Sequence, residues 1–507
     1  MKKRLSILFF IWWMASNAQE RLGISTSNYS PTNSIFLNPA TTVDSKAFAQ
    51  LNLVSANVYA MTNQAYLPNF SVRSAIKDSF PTPRLSSIKI RKFAYVSATV
   101  DGPAFTLSHR NFGLGFFVRG RAIVDIRNIP YELTNILLQQ QPNPTLPREI
   151  DIRIRNAKVS GMAWAEYGAN FGMMIRKRGY QIISVGANAR YLTGINISYA
   201  NLEKLRLQAD FTSLDVALKA KARFNEPAWN AGRGVGIDAG IVYKRMLNTV
   251  DSYYPNSKKS NCISYLYRYK VGLSLLDAGA IRFTKGPYKA GVDAAAKIED
   301  YTKVKSVSDL LNSKFSAYYN NNPIWASLPT AISAQLDWYF DNNFYLATTI
   351  IQNITTSRVI GVQRSQLWSI NPRWAFRHFE VSAPLTFQRH LYPQLGFALR
   401  LRSFVLGFDN VFPLLLKKDT YGLNVYVGLG ITMFKNPACR EPRKRKIKLK
   451  KIFGENLLGE GRLSKTKPSD IKKEDPVECA DELNLMIDKK EKTKPKSFWS
   501  KLLFWKK

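Results

Sequence analysis

From Lys92 onward the chain alternates. Tyr95, Ser97 and Thr99 interleave with Val96, Ala98 and Val100, a period of two that sends successive side chains to opposite faces of a strand. Asp101-Gly102 is a short hairpin signal. The pattern therefore predicts a turn there, a strand resuming over residues 104–108, a turn at His109-Arg110-Asn111 and a long strand from Phe112 to Ile126. The same grammar recurs. Residues 162–197 read as two long strands around a basic turn at Arg176–Gly179, and residues 235–245 alternate. Residues 267–283 predict a turn at Asp277-Ala278-Gly279, and residues 328–354 one at Asp341-Asn342-Asn343. Residues 394–411 and 421–434 close the series.

Strands of about ten residues or more, joined by tight turns on one side, have the dimensions of a transmembrane barrel. Strands of soluble sandwiches run to about five or six. The expected fold class is all-β: a transmembrane antiparallel β-barrel of about fourteen strands, within a range of about twelve to sixteen. The competing reading is a secreted soluble β-protein. One stretch departs from the alternation. Val304, Val307, Leu310, Leu311 and Phe315 fall at helical intervals within Thr302 to Pro323, with Ser306 or Ser308 as cap. A helix closing one barrel mouth and a helix in a surface loop both fit it.

Composition supports the barrel because its 45% hydrophobic and 12% aromatic residues are spread by alternation rather than blocked. Aromatics crowd strand ends, as in Trp338-Tyr339-Phe340 and Phe344-Tyr345, where interface girdles belong. Glycines within strands (Gly168, Gly172, Gly186, Gly236, Gly240, Gly272, Gly428 and Gly430) suit bends and close packing in a barrel wall.

The N-terminus carries Lys2, Lys3 and Arg4, an apolar run from Leu5 to Ala15, then Ser16-Asn17-Ala18. This is the layout of a secretory signal peptide cleaved after Ala18. Its apolar run is shorter than the roughly 20 residues of a membrane-spanning helix. The expected organisation is a signal peptide over 1–18, a lead-in segment over 19–46, the barrel over 47–434 and a tail over 435–507. The lead-in, SNYSPTNSIFLNPATTVDS, holds two prolines that keep it out of helix and ladder, and an apolar island at Ile35-Phe36-Leu37. It reads as a folded-in plug or clasp at the barrel mouth.

The net charge of +37 would suggest nucleic acid in a cytosolic protein. A secretory leader removes that context, and no zinc-finger spacing, basic helix with heptads or RNP-type motif is present. Basic residues in a membrane barrel serve anionic headgroups or an anion-favouring lumen. Much of the charge lies after Phe434. Within it, Arg443, Lys444, Arg445 and Lys446 open a polybasic run, and Trp499 and Trp505 belong to an aromatic, cationic end. Both are candidates for binding lipid or an envelope protein.

Chemistry is sparse. Cys262, Cys439 and Cys479 lie far apart and form neither a disulfide framework nor a CxxC metal site; an oxidising compartment allows one bridge, Cys439–Cys479 ahead of the other pairings, and the odd count leaves one thiol over. His109, His378 and His390 sit in no metal-ligand motif. The glycines of residues 232–240 have the wrong spacing for a dinucleotide fingerprint. Ser108 and His109 are adjacent, which in a strand points them to opposite faces and argues against a catalytic dyad. No cofactor, no metal and no enzymatic activity are expected.

Several motifs in order resemble those of an uncharacterised Bacteroidota outer-membrane β-barrel family. That family is itself similar to long-chain fatty acid transporter barrels and to the barrel shuttle proteins of the type nine secretion system. The N-terminal motif is Ser27-Asn28-Tyr29 followed by Leu37-Asn38-Pro39-Ala40. The later ones run over residues 184–194, 232–243, 268–279, 328–330 and 407–410. The resemblance implies an outer-membrane location and a channel or transporter for small, including hydrophobic, molecules. The alternatives are a scaffold or shuttle subunit of an envelope or secretion complex, which the tail favours, and, more remotely, an interfacial enzyme. Some relatives carry a peptidoglycan-binding domain where this chain has its basic tail, so cell-wall binding does not carry over.

Overall fold

The computed structural model describes residues 21–70, 82–131, 150–209, 214–250, 255–256, 266–298, 317–356, 359–388, 392–402, 404–411 and 418–434. The leader, all three cysteines, His390 and the whole tail, including Arg443, Lys444, Arg445, Lys446, Trp499 and Trp505, lie outside these residues.

Fourteen crossings form the wall. The first five are β1 (Ala49–Thr62), β2 (Lys92–His109), β3 (Phe112–Ile129), β4 (Ile150–Arg178) and β5 (Gln181–Ala209). Strand β6 runs through Leu214–Asn225 and Gly232–Met246, and β7 through Tyr267–Phe283 and Pro287–Ile298. Strand β8 is made of Ala317–Asn320, Ile324–Ser327 and Ala331–Tyr339. Then come β9 (Phe344–Asn353) and β10 (Leu367–Ala375). The series ends with β11 (Phe379–Ser382 and Leu385–Gln388), β12 (Tyr392–Leu395 and Phe397–Leu401), β13 (Phe404–Phe408) and β14 (Gly422–Met433). The sheet closes because β1 pairs antiparallel with β2 on one side, from Ala49↔Leu107, and with β14 on the other, from Ala49↔Met433. Closure satisfies every edge, the condition for placing a sheet in lipid.

Tight turns lie on one rim, at Arg110-Asn111, Gly179-Tyr180 and Asp341–Asn343; the start of β1 and the end of β14 are at this rim too. Most longer connections lie on the other, the exception being the one between Met246 and Tyr267, which leaves from the tight-turn rim. Strands β4 and β5 have 29 residues each, far beyond the roughly 9–11 a tilted crossing needs, so they rise well past the membrane band toward the long-loop rim.

Alternation assigns the faces. In residues 331–339, Ile332, Leu336 and Trp338 are exposed while Ala331, Ser333, Asp337 and Tyr339 are buried. The outer face is apolar around the wall (Val58, Val100, Leu114, Ile241, Leu273, Leu429). Near the tight turns it carries an aromatic girdle with Phe112, Tyr180, Trp338, Phe340 and Trp374.

Two expected turns are strand instead. Asp101-Gly102 lies inside β2, where the register steps from Asp101↔Arg119 to Ala104↔Phe117. Asp277-Ala278-Gly279 lies inside β7, which steps from Leu275↔Ala239 to Ala278↔Ile237. Each step sets two residues against one, 102–103 against 118 and 276–277 against 238, a β-bulge. The aspartates turn inward there: Asp101 and Asp277 are both buried and ion-paired. Asp277 takes φ +54°, a left-handed conformation that aspartate adopts more readily than most residues. The expected helix over Thr302 to Pro323 falls mostly outside the described residues; its end, Ala317–Asn320, is strand paired with β7.

Candidate functional site

The barrel interior is occupied by the chain's own N-terminal segment, residues 21–48. It consists of α1 (Leu22–Ser25), α2 (Pro31–Ser34) and a 3-10 turn (Pro39–Thr42). Pro31 and Pro39 stand at or near the start of their turns, where a missing N–H costs nothing. Asn38 caps the 3-10 turn: its side-chain oxygen accepts from the Ala40 N–H at 3.1 Å. Its Nδ2 donates to Gln335 Oε1 at 3.0 Å and to the Ile241 carbonyl at 3.2 Å, so one side chain caps the turn and ties it to two strands.

The other motif residues dock beside it. Pro39 offers its carbonyl to Asn170 Nδ2 at 3.2 Å, and Ala40 is buried against the wall at Gly186. Leu37 packs with Leu22, Ala331, Ile351 and Leu367, while its carbonyl accepts from Ser274 Oγ at 2.7 Å. Ile35 and Phe36 pack with Ala104 and Phe117, the two rings edge to face at 4.9 Å. Asn28 donates to the Tyr267 hydroxyl at 2.8 Å. Tyr29 lies near the short-turn rim under the Lys46 and Arg400 cations, each 5.1 Å from its ring. Burial, helped by the nearby Glu380 carboxylate, pushes its phenol up to about 12.

The wall is shaped to receive the segment. A Cβ on Gly186 would stand 2.6 Å from Ala40 N, and one on Gly272 would stand 2.9 Å from Asn38 Nδ2. Several in-strand glycines therefore serve close approach of the segment, a partner that alternation alone does not reveal. The residual space along this contact is a cavity of about 30 Å³, among whose lining residues are Asn28, Leu37, Asn38, Lys244, Lys270 and Asp337. A space of that size holds water or a monatomic ion, not an organic solute.

Deeper in the lumen the polar wall residues form a buried ion network. Arg190 Nη1 meets Asp277 at 2.6 Å and Glu166 at 3.1 Å, and its Nη2 meets Asp238 at 2.5 Å. Arg121 Nη1 reaches Asp277 at 2.8 Å and Glu166 at 3.1 Å. Arg190, Asp238 and Asp277 come from three of the separate sequence motifs, on β5, β6 and β7. The motifs by themselves assign these charges no role. The available signal was a charge at an inward position of an otherwise apolar strand, which in a membrane barrel faces the lumen. Beyond this layer lies an apolar one, with Tyr59, Tyr95, Trp164, Leu192, Phe283 and Val362.

Val362 belongs to a second inserted element. Residues 359–366, between β9 and β10, turn inward: Ser327 N–H donates to the Ile360 carbonyl at 2.8 Å, and Arg364 Nη1 meets Asp277 at 3.0 Å. The lumen is thus filled from both rims.

Ser108 donates to the Val43 carbonyl at 2.6 Å, and His109 stacks edge-on against Phe48, so the adjacent pair is not brought together as a dyad. Among the described residues no group of three His, Cys, Asp or Glu is arranged to hold a metal ion.

A family of unknown function, DUF5723, matches residues 39–409. No curated protein matches. Three solved barrels are similar in fold at low scores. A monoaromatic hydrocarbon channel, a TodX deletion mutant, is 9% identical with a TM-score of 0.42, over 82% of this chain and 99% of that one. A Pseudomonas aeruginosa FadL homologue is 10% identical with a TM-score of 0.22, over 83% and 99%. The outer membrane protease OmpT from Escherichia coli is 7% identical with a TM-score of 0.19, over 76% and 95%. Channels and a protease appear together at these scores, so activity has to be argued from the chain itself.

Proposed function

The chain belongs to the family of unknown function DUF5723, and from that premise we propose that it is a non-enzymatic outer-membrane channel for small molecules whose N-terminal segment is the gate. The observation that carries this reading is how the segment is held. It contributes no strand to the wall, and many of its contacts are side-chain hydrogen bonds, from Asn38, Asn28, Thr42 and Ser274 among others. Each such bond is worth a net ~0.5–1.5 kcal/mol, because water replaces it when it breaks. The segment can leave the lumen without unzipping the barrel. The apolar layer around Trp164 and Phe283 favours a permeant with a hydrophobic body. In the outer membrane the short-turn rim, where β1 starts and β14 ends, faces the periplasm.

The test compares the full chain with a variant lacking residues 21–48 in planar bilayers, with heat-dependent gel mobility as the control for an intact barrel. The full chain is expected to be mostly closed and the variant to conduct. A folded variant that remains silent overturns the channel reading. It would favour a second reading that the doubly filled lumen also supports: a structural subunit of an envelope or secretion complex, with Arg443–Lys446, Trp499 and Trp505 as its contact region. Co-purification from native outer membrane, with and without residues 435–507, tests that reading.

A further inference from the structure

Between the N-terminal segment, the barrel wall and the inward loop before β10 lies a second cavity, of about 30 Å³. Among its lining residues are four arginines, Arg21, Arg119, Arg121 and Arg364, together with Ser25 and Asn57. Their carboxylate partners stand outside the lining. Asp101 bridges Arg21 Nη1 at 2.5 Å and Arg119 Nε at 2.6 Å, and Asp277 takes Arg121 and Arg364. Arg21 and Arg119 share the single carboxylate of Asp101, an excess of one positive charge in that cluster. Three lining groups lack a hydrogen-bond partner: Arg21 Nη2, the Ser25 hydroxyl and the Asn57 side-chain oxygen. Arg21 is only 9% exposed and Asn57 3%. Of the three groups, Arg21 Nη2 and the Ser25 hydroxyl are donors.

An uncompensated buried charge beside unused donors is costly, and the remedy that matches this chemistry is an anion. We propose that this cavity is a binding site for a monatomic anion of halide size, held by Arg21, Arg119, Arg121 and Arg364 with the hydroxyl of Ser25. The volume excludes an organic solute. The bound anion ties together three parts of the molecule that share no backbone ladder here: the gate segment through Arg21 and Ser25, the wall through Arg119 and Arg121, and the inward loop through Arg364. It therefore acts as a latch on the closed lumen. The site does not depend on what the barrel passes, since occupancy and conductance are read separately.

Crystals of the full chain grown or soaked in sodium bromide provide the direct test: anomalous scattering at the bromine edge is expected to show a peak among these four side chains. A cavity holding only water at saturating bromide overturns the proposal. In solution, replacing gluconate by chloride at constant ionic strength is expected to raise the temperature at which the folded gel band is lost by several degrees, because a ligand bound to the native state alone stabilises it. Arg21→Met, which leaves Asp101 paired with Arg119, is expected to remove that shift while the barrel still folds. Equal transition temperatures in the two salts for the unsubstituted chain overturn it as well.

Discussion

The side-chain oxygen of Asn38 lies 2.2 Å from the point where a Cβ on Gly240 would stand. A turn in the lumen and a glycine in the wall thus occupy one another's space, and neither residue's identity is explained without the other. Gly240→Val puts a good strand former into β6 while expelling Asn38. The expected outcome is a barrel that keeps its heat-dependent mobility but exposes residues 28–45 to limited proteolysis. Protection equal to that of the unsubstituted chain would contradict the docking geometry.

Asp337 is the counter-charge of a second buried cluster. It meets Arg373 Nη2 at 2.5 Å and Lys270 Nζ at 3.2 Å, and accepts from the Tyr267 hydroxyl at 2.6 Å. Asp337→Ala leaves two buried cations with no carboxylate between them. Removing one partner of a buried pair costs about 3–5 kcal/mol, and a loss of that order is expected in urea unfolding followed by tryptophan fluorescence. The double variant Asp337→Leu with Arg373→Met should recover part of it.

Leu336 and Gln335 are neighbours on opposite faces of β8: Leu336 is exposed to the apolar belt, and Gln335 is buried against Asn38. An arginine on the lipid face costs roughly 2–4 kcal/mol at mid-membrane. Leu336 stands one outward position from the girdle residue Trp338, off the midplane, so Leu336→Arg is expected to destabilise the barrel by about 1–2 kcal/mol in the same assay, with the N-terminal segment still protected. Gln335→Ala should do the reverse: little change in the barrel and faster proteolysis of the segment.

Tyr29 gives the segment a dependence on alkaline pH. Its phenol ordinarily titrates near 10 and is raised to about 12 in the closed lumen. The folded state thus favours the neutral form. That contribution is complete below pH 10 and is lost as the pH rises toward 12. Phenolate absorbance of the full chain minus that of Tyr29→Phe should show a transition near pH 12, and weakening of segment protection between pH 10 and 12 should be smaller in Tyr29→Phe. A difference transition at 10 would show that the phenol is not buried.

The wall was largely legible. Alternation marks β9 and β14 residue by residue, and the turns at His109–Asn111 and Asp341–Asn343 carry the residues such turns require. The Asp-Gly signal at residue 101 misled because a bulge and a hairpin use the same local chemistry, and only the partner strand decides between them. At Asp277 the inward carboxylate, held by Arg190 and Arg121 from other strands, is what stabilises the left-handed step. The lead-in motif was recognisable as a folded segment, yet its contacts were not: Asn38 reaches Gln335 across 297 positions of sequence.

The sequence by itself determined a closed antiparallel barrel with an apolar outside. A period of two is a local property of the backbone, and lipid demands that one face obey it everywhere. Only the tertiary structure decided what fills the inside. Inward side chains meet partners from the opposite wall, the N-terminal segment and the loop before β10, and no local periodicity encodes which charge will lie against which. The pairing of Arg190 with Asp238 and Asp277, and the fit of Asn38 over Gly240, arise when the sheet closes and burial makes each polar group find a partner.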